Sequence, residues 1–579
     1  MCGIIGITGD KVNPEKSINM LKRLEYRGYD SAGIAVNTEK DIKIEKGKGR
    51  IKEAIKKEKI PVEKPKTVIA HSRWSTHGEP SEKNAHPHTD CTEEIATVHN
   101  GIIHNHSEIK RKLKEKGHVF TSKTDTEVIP HLIEEKMKKR TRNKENILKT
   151  IKEIKEEIEG EYAVVISIKG KKELYGFKKD SPLCIGINTD KEENYFSSDI
   201  YSFSHLTNQS IALEDGEKAL ITPRGYEIYN GSLQKIKRKP EKFEWNQEKT
   251  KKEEEHHMLS EIKEQPEAVK RLLKKQDEEG LGRLTQLMKN HEKTVITASG
   301  TSYHASLFGA HLLQDSGQET QAIIASEYQN YIKPDKNTLT IGVSQSGETM
   351  DVVKALQHAE EKNSTTASIV NVPKTTIPRK TQNSVKIHAG QEISVASTKT
   401  FTNQVTTFAR IANNLGEERN VRKLPIKSKK TIEKNEERIK DLSKQLKEEK
   451  DIYIIGEGPT YPIAREIALK LKEIPYIHAE GMMAGELKHG TLALIEEKTP
   501  VISLRTNDKM LKTEEEVKSK GARIIPISTE TKLKIPEGNK VEKAVCSNII
   551  GQLLSYYIAK ERNCPIDKPK NLAKVISVT

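Results

Sequence analysis

Two stretches in the second half of this 579-residue chain repeat the same order of elements, and no other feature limits its architecture as much. Thr294–Ala298 is an apolar run ending in S-G-T-S-Y, and Ile452–Ile455 is another, ending in G-E-G-P-T-Y. Aligning Gly300 with Gly458 also aligns Tyr303 with Tyr461. Each run leads into a helix-forming stretch and then an acidic element, A-S-E at Ala325 and A-E-G at Ala479. Further apolar runs follow in matching places, Leu339–Val343 and Pro500–Leu504, then Thr366–Val370 and Ala522–Ile527. Alternating strands and helices at this spacing predict a parallel sheet with right-handed crossovers. Two similar α/β units are therefore expected over 257–418 and 451–569, joined by a Lys- and Glu-rich segment, 419–450, and followed by a tail, 570–579.

The stretch before the repeat reads differently. Residues 2–235 hold short apolar runs, Ile4–Thr8, Gly33–Val36, Thr67–His71, Glu94–His99 and Tyr162–Ile168, with helix-forming stretches near Ser17–Leu24, Ser107–Lys116 and Thr126–Lys138. That mixture predicts a layered α+β or α/β unit. Residues 236–256 are dense in Lys and Glu, the composition of a linker. At ~150 residues per domain the length allows roughly four domains or fewer, and three globular units account for it.

Composition removes several function classes. The longest apolar runs are strand-length, far short of the ~18 residues of a spanning helix, and no basic-then-apolar leader opens the chain. Neither a membrane protein nor a secreted one is expected. Cys2, Cys91, Cys184, Cys546 and Cys564 are scattered without a C-x-x-C pair. That argues against a disulfide scaffold and a cysteine zinc site, and for a reducing, cytoplasmic setting. The net charge of +15, from 99 basic and 84 acidic residues, is mostly interleaved Lys and Glu, as in K-E-E-I-E-G. It reads as solvated helix faces rather than a nucleic-acid surface, and its positive excess suits an anionic substrate.

Chemistry concentrates at the amino terminus. Removal of Met1 would leave Cys2 with a free α-amine, pKa near ~8, able to act through water as base for its own thiol. A Met-Cys dipeptide alone weighs little, because Cys2 could equally be a small buried residue. It is followed, in order, by E-Y-R-G-Y-D-S-A-G (25–33), H-S-R-W-S-T-H-G-E-P (71–80), N-A-H-P-H (84–88), V-H-N-G-I-I (98–103) and T-D-T-E (124–127). This ordered set resembles the class II glutamine amidotransferase domain, a four-layer α+β N-terminal-nucleophile hydrolase, over roughly the first 220 residues. The resemblance implies that Cys2 attacks the glutamine side-chain amide to form a thioester. Asn100 and the Gly101 N–H would form the oxyanion hole. Arg73 would hold the substrate carboxylate and Asp125 its ammonium. Trp74, Thr76 and His77 would line the pocket, with Trp74 gating the ammonia path or merely packing in the core.

The second half supplies an anion site. S-Q-S-G-E-T, residues 344–349, follows the run Leu339–Val343 and offers three hydroxyls, an amide and a glycine where a strand gives way to a helix. Such a turn aims donors and a helix dipole at a phosphate; Ser346 or Thr349 simply capping the helix would explain it equally well. Thr301–Ser302 follows the preceding strand, and both turns would lie at the carboxyl ends of parallel strands, where ligands bind. V-A-S-T-K-T-F (395–401) adds a third polar turn. In the second copy Lys470 and Glu473 share a helix face, and apolar Leu469, Leu471 and Ile474 favour a buried, tuned carboxylate over a surface ion pair. His489, in G-E-L-K-H-G, titrates near neutrality and could shuttle protons. The end, P-K-N-L-A-K-V-I-S-V-T, is apolar apart from Lys570 and Lys574 and reads as docked.

This half resembles paired sugar isomerase domains, which are flavodoxin-like α/β units. The whole chain resembles the isomerizing glutamine–fructose-6-phosphate aminotransferase family, with D-K-P-K-N-L-A-K and G-E-L-K-H-G among the specific motifs. The resemblance implies transfer of the glutamine amide nitrogen to fructose 6-phosphate, and isomerisation to glucosamine 6-phosphate, the first step of hexosamine synthesis. Thr301, Ser302, Ser344, Gln345, Ser346 and Thr349 would hold the phosphate. Ser397 and the Val395 backbone would touch the sugar. His489 would open the ring, Lys574 would form a Schiff base, and Glu473, supported by Lys470, would move the proton between carbons 1 and 2. The family works as a cytoplasmic homodimer without metal or organic cofactor, with His489 supplied by the neighbouring copy. No nucleic acid or membrane is implied as partner. His104, Ser260 and Ser299 depart from the family pattern, which usually has Glu, Lys and Cys there. An amidophosphoribosyltransferase would need an acid-rich loop that this chain lacks, and a sugar-phosphate-binding regulator would have no use for Cys2, Glu473 or Lys574.

Overall fold

The structure is a computed structural model that describes residues 2–56, 58, 60, 65–74, 77–243, 254–275, 277–373, 375–417, 419–505 and 507–574. It separates into two compact units, one ending at residue 247 and the other spanning 248–574. No described helix is long and apolar enough to cross a membrane.

The first unit is built on two antiparallel sheets, one of eight strands and one of seven. Gly3–Gly9 lies inside the larger sheet, paired with Thr67–Arg73 on one side and Glu193–Ser197 on the other. Every residue of that strand is buried. Its glycines answer to close neighbours: a Cβ at Gly3 would meet Ser72 Oγ at 2.7 Å, and one at Gly6 would meet Leu174 at 3.1 Å. Ile4, Ile69 and Phe196 of the larger sheet share a core with Val98, Val165 and Ala219 of the smaller. The other face of the larger sheet packs Ile5, Ile7 and Ile34 against Ile18 and Leu21 of the helix Pro14–Arg23. The other face of the smaller sheet packs Ile103, Val164 and Ile166 against the helices His106–Glu115, Val128–Met137 and Lys144–Glu157. The last of these, capped by the Asn143 side chain on the Asn146 N–H at 2.9 Å, escapes a reading by strand-like runs.

The stretch 236–256, read as a linker, begins inside this unit, because Glu241–Lys242 pairs with Gln209–Ser210 at the edge of the larger sheet. Residues 244–253 of that stretch, and 575–579 of the tail, lie outside the described residues.

The second unit contains the repeat. Lys293–Ala298, Thr320–Ile324, Thr338–Ser344, Thr365–Val370 and Asn383–Lys386 form a parallel sheet in the order second, first, third, fourth, fifth. Asp451–Gly456, His478–Met483, Pro500–Leu504, Arg523–Ser528 and Leu533–Lys534 form another in the same order. One continuous core serves both. Its centre is the helix Lys540–Glu561, apolar on every side and buried over most of its length. The Lys- and Glu-rich segment between the copies is itself a helix, Leu424–Leu446, whose buried face is largely Ser428, Thr431, Asn435 and Ser443 beside Ile432 and Ile439. Asn435 pairs in both directions with the backbone of Lys534, donating at 2.9 Å and accepting at 2.8 Å, and so satisfies a short edge strand.

Gly481 marks a tight contact in the second sheet. A Cβ there would sit 2.4 Å from the Ala464 carbonyl oxygen and 2.5 Å from the Arg465 Cα. Gly481→Ala is expected to destabilise the fold by about 1–3 kcal/mol, the range for overpacking a filled contact. An unchanged urea midpoint would show that strand and helix can separate freely.

Candidate active site

In the first unit the expected residues converge around Cys2. The Trp74 N–H donates to Cys2 Sγ at 3.2 Å. The Asn100 side-chain amide donates to the Cys2 carbonyl at 2.9 Å. His71 sets the direction of that amide, because its Nε2–H donates to Asn100 Oδ1 at 3.1 Å and to the His99 carbonyl at 3.0 Å. Burial holds His71 near pKa 3, so the ring is neutral. Gly101 has φ of +124°, and a Cβ there would fall 1.9 Å from the Glu161 carbonyl oxygen, so only glycine fits. Burial pushes the Cys2 thiol up, against the pull of the Trp74 amide and the Arg73 charge.

Arg73 is buried and spends one nitrogen on the backbone of the next loop, donating to the carbonyls of His77 and of Gly78, the latter at 3.3 Å. Its Nη1 has no partner among the described residues. Asp125 is buried nearby, accepts from the Ile103 N–H at 2.8 Å, and acts on Arg73 through its charge. An unsatisfied guanidinium nitrogen with a carboxylate close by is a fitting receptor for an amino acid's two charged groups. Trp74 is half-buried, edge-on to Tyr29 at 5.6 Å. His77 stands edge-on to His106 at 5.3 Å. Thr76 lies outside the described residues.

In the second unit the two hydroxyl turns follow paired strands and lead into the helices Gly300–Asp315 and Met350–Glu361, and neither Ser299 nor Thr349 caps its helix with its side chain. Ser344 Oγ accepts from the Gly347 N–H at 3.0 Å and lies 2.9 Å from Thr349 Oγ1 and 3.4 Å from Ser346 Oγ. Gly347, at φ +69°, lets the loop close on Thr375. Gln345 is half-buried. Ser302 accepts from Gln404 at 2.9 Å. Two helix N-termini and a set of hydroxyls offer donors of the kind that bind a phosphate.

The catalytic candidates form two buried clusters. Lys574 Nζ donates to Glu392 at 2.6 Å and to Ser397 at 3.2 Å. Glu392 also accepts from the Thr398 and Thr400 N–H groups, at 2.9 and 3.2 Å, and from the Thr400 hydroxyl at 2.8 Å. Burial would raise this carboxyl; Lys574 and the amides overcome it and hold it at about 2. Burial and the Glu392 charge push the neighbouring Glu261 up to about 8. Val395 is fixed through its N–H, which donates to the Asp567 carbonyl at 3.1 Å. In the other cluster Lys470 donates to Glu473 at 2.5 Å and Thr301 at 3.0 Å, and lies 3.3 Å from Glu466. The fully buried acid on that helix is Glu466, which also accepts from His304 at 2.8 Å, while Glu473 keeps 19% of its side chain exposed. His489 is exposed on a loop, and among the described residues no hydrogen bond joins its ring to either cluster.

Residues 71–205 match the glutamine amidotransferase domain, and 287–413 and 445–560 match the SIS domain. Curated proteins named glutamine–fructose-6-phosphate aminotransferase [isomerizing] from Pyrococcus horikoshii and Aquifex aeolicus are 39% and 40% identical, with all of each chain covered. This chain belongs to that isomerizing aminotransferase family. Among solved structures, the C-terminal domain of the glucosamine-fructose-6-phosphate aminotransferase of Francisella tularensis is 32% identical over 55% of this chain and 99% of its own, with a TM-score of 0.51.

For this family member, reading by motif missed His71, Glu261, Glu392, Glu466 and His304. Glu466 was within reach, since it lies four residues before Lys470 just as Glu473 lies three after. Glu392 lies five residues before Ser397 in Q-E-I-S-V-A-S and carried no such cue.

His71, His86 and His88 form a buried group, His71 stacked on His86 at 4.1 Å and His86 edge-on to His88 at 5.0 Å. Burial first, then the neighbouring positive groups, hold His86 and His88 well below the usual histidine range. The unfolded chain titrates near 6.5 and so binds protons that the native state refuses. Stability should therefore fall as pH drops from about 6.5, well before carboxylates titrate. The urea midpoint of the first unit, read by pulse proteolysis between pH 7 and pH 5, is expected to decline; a flat profile would mean that these rings are not kept neutral.

Proposed function

We propose that this chain releases ammonia from glutamine at Cys2 and delivers it to fructose 6-phosphate at Lys574, giving glucosamine 6-phosphate and glutamate. The observation that carries this is the meeting of Lys574 and Ser397 on a buried carboxylate, 182 residues apart in sequence for Lys574 and Glu392.

With Met1 removed, the α-amine takes the thiol proton, and Cys2 Sγ attacks the amide carbon. The Asn100 amide, already directed by His71, and the Gly101 N–H receive the developing oxyanion. Arg73 takes the glutamine carboxylate on its open nitrogen and Asp125 the ammonium, with Trp74, Thr76 and His77 lining the pocket. In the second unit Thr301, Ser302, Ser344, Gln345, Ser346 and Thr349 hold the phosphate, and Ser397 with the Val395 backbone holds the sugar hydroxyls. His489 opens the ring. Lys574 must lose a proton before it can attack the ketone, and Glu392, 2.6 Å away, is placed to receive it. Ammonia displaces the lysine from the iminium, and Glu473, steadied by Lys470, moves the proton that converts ketose to aldose. Passage of ammonia within the protein keeps it from being protonated in bulk water.

The wider reading is a cytoplasmic homodimer with a four-layer glutaminase domain over 2–235, sugar isomerase domains over 257–418 and 451–569, and an active-site tail over 570–579. Helices on the outer faces of two facing sheets support the four layers. Met483 and Leu494, 49% and 62% exposed on either side of exposed His489, support a partner copy covering that loop.

Cys2→Ala is expected to lower glutamine-dependent synthesis by on the order of 10⁴-fold or more, as for loss of a nucleophile, while sugar isomerisation persists. Lys574→Ala should stop synthesis and spare glutamine hydrolysis. Assays of glucosamine 6-phosphate and of glutamate on both variants decide it, with intact mass confirming Met1 removal; synthesis by either variant at the unaltered rate would refute the assignment of that residue.

A further inference from the structure

Outside these sites, three separate segments of the first unit bring four metal-ligating side chains together. Cys91 lies in the turn after His88–Thr89, a turn fixed by Asp90, whose Oδ1 accepts from the Glu94 and Ile95 N–H groups at 2.8 and 2.9 Å. His118 follows the helix His106–Glu115. Gly117, at φ +90°, sends its N–H to the Lys114 carbonyl, and the His118 N–H reaches Leu113 at 3.1 Å, the double bond of a glycine-terminated helix. His131 and Glu134 lie three apart on the helix Val128–Met137.

Their ligand atoms all lie within 4.8 Å of one another. His118 Nδ1 is 3.3 Å from His131 Nδ1; Cys91 Sγ is 3.7 and 3.5 Å from those nitrogens; Glu134 Oε2 is 3.1 and 3.5 Å from them. A tetrahedral zinc ion with ordinary bond lengths separates nitrogen from nitrogen by about 3.3 Å and sulfur from nitrogen by about 3.6 Å. The five distances match the edges of that tetrahedron. The outer contacts match as well. Glu135 accepts from His118 Nε2 at 3.1 Å, which leaves the Nδ1 lone pair facing inward. The Val119 N–H points at Cys91 Sγ at 3.4 Å, and the Cys91 N–H at Glu134 Oε2 at 3.0 Å. Among themselves the four groups can share only a proton or two, whereas one cation satisfies all of them.

We propose that Cys91, His118, His131 and Glu134 form a structural zinc site. Thiolate and carboxylate together neutralise the ion, and binding releases the thiol proton to solvent. Four protein ligands leave no open position, so the ion holds structure and does no chemistry. Cys91 is exposed, which gives the ion a way in. The two histidines bracket the segment that carries Asp125, so the ion pins both ends of it. The sequence argued against such a site for want of a C-x-x-C pair, and spacing could not show three distant segments meeting.

The full-length protein, purified from zinc-supplemented cells and dialysed, is expected to hold about one zinc per chain by mass spectrometry. Cobalt exchanged for it should show thiolate charge-transfer absorption. Cys91→Ala should lose both the ion and the absorption while keeping its circular dichroism, and Cys184→Ala should retain both. Glu135→Gln, which touches no ligand atom, should weaken zinc binding about 10–100-fold. A wild-type chain that binds zinc or cobalt no more tightly than Cys91→Ala would overturn the site.

Discussion

A full negative charge buried at Glu392 is the constraint around which the second unit is arranged. An unpaired ion in that position would cost several kcal/mol. The structure offsets it with donors from two directions: the Thr398 and Thr400 amides and the Thr400 hydroxyl from the chain just beyond, and Lys574 from the tail. Neither source alone would suffice, so the tail and the polar turn must dock together. Asp567 completes the link. Its carbonyl takes the Val395 N–H, and its carboxylate takes the His257 and Met258 N–H groups at 3.0 and 2.9 Å, at the start of the helix that carries Glu261. Glu261 then sits against a carboxylate already ionised and keeps its own proton. Two buried carboxyls with one charge between them leave one group able to accept a proton and one able to give it.

The first unit positions polar groups by the opposite means. There, burial keeps histidines neutral, and a neutral ring can hold one fixed tautomer. His71 uses its Nε2–H to turn Asn100 toward Cys2. His88 meets Thr124 at 3.1 Å, next to Asp125. Fixed dipoles of this kind need no counter-charge and add no net charge beside the nucleophile. Among the charges that act on Cys2 are those of Arg73 and Asp30, and the Arg73 Nη1 has no partner among the described residues.

How much of this could be read from the chain depends on whether the signal is local. The repeat was legible because each strand and its polar turn are contiguous, and the parallel pairing of both sheets agrees with it. Cys2, Arg73, Asn100 and Asp125 were legible because each sits in a short motif. Glu392 and Glu261 were not, because their roles arise from proximity across more than a hundred residues of chain. The segment connecting the two copies is folded as the helix Leu424–Leu446, which its Lys- and Glu-rich composition did not show. Half of its buried residues are Ser, Thr and Asn, and they satisfy polar groups across the contact, as Asn435 does for the Lys534 backbone. Linker composition likewise concealed the strand Glu241–Lys242, whose pairing is backbone alone.

The repeat also explains why one unit needs both copies. The helix after the first strand of one copy, Gly300–Asp315, packs on its counterpart, Tyr461–Glu473. In the first copy the turn that starts this helix carries the hydroxyls of Thr301 and Ser302, which the proposed reading gives to the sugar phosphate. In the second, the corresponding turn, G-E-G-P-T-Y, is folded tightly on itself: a Cβ at Gly456 would meet the Thr460 carbonyl oxygen at 2.6 Å, and the Glu457 N–H is spent on Thr460 Oγ1 at 2.9 Å. What the second copy supplies instead is the helix face of Glu466, Lys470 and Glu473, directed at Thr301 and His304 of the first. The two equivalent helix starts thus differ in what they present, hydroxyls in the first copy and a charged helix face in the second. The buried Glu466, bonded to both Thr301 and His304, holds that division in place, because removing it would leave Lys470 with Glu473 as its single acid and the two helices joined by the Lys470–Thr301 hydrogen bond.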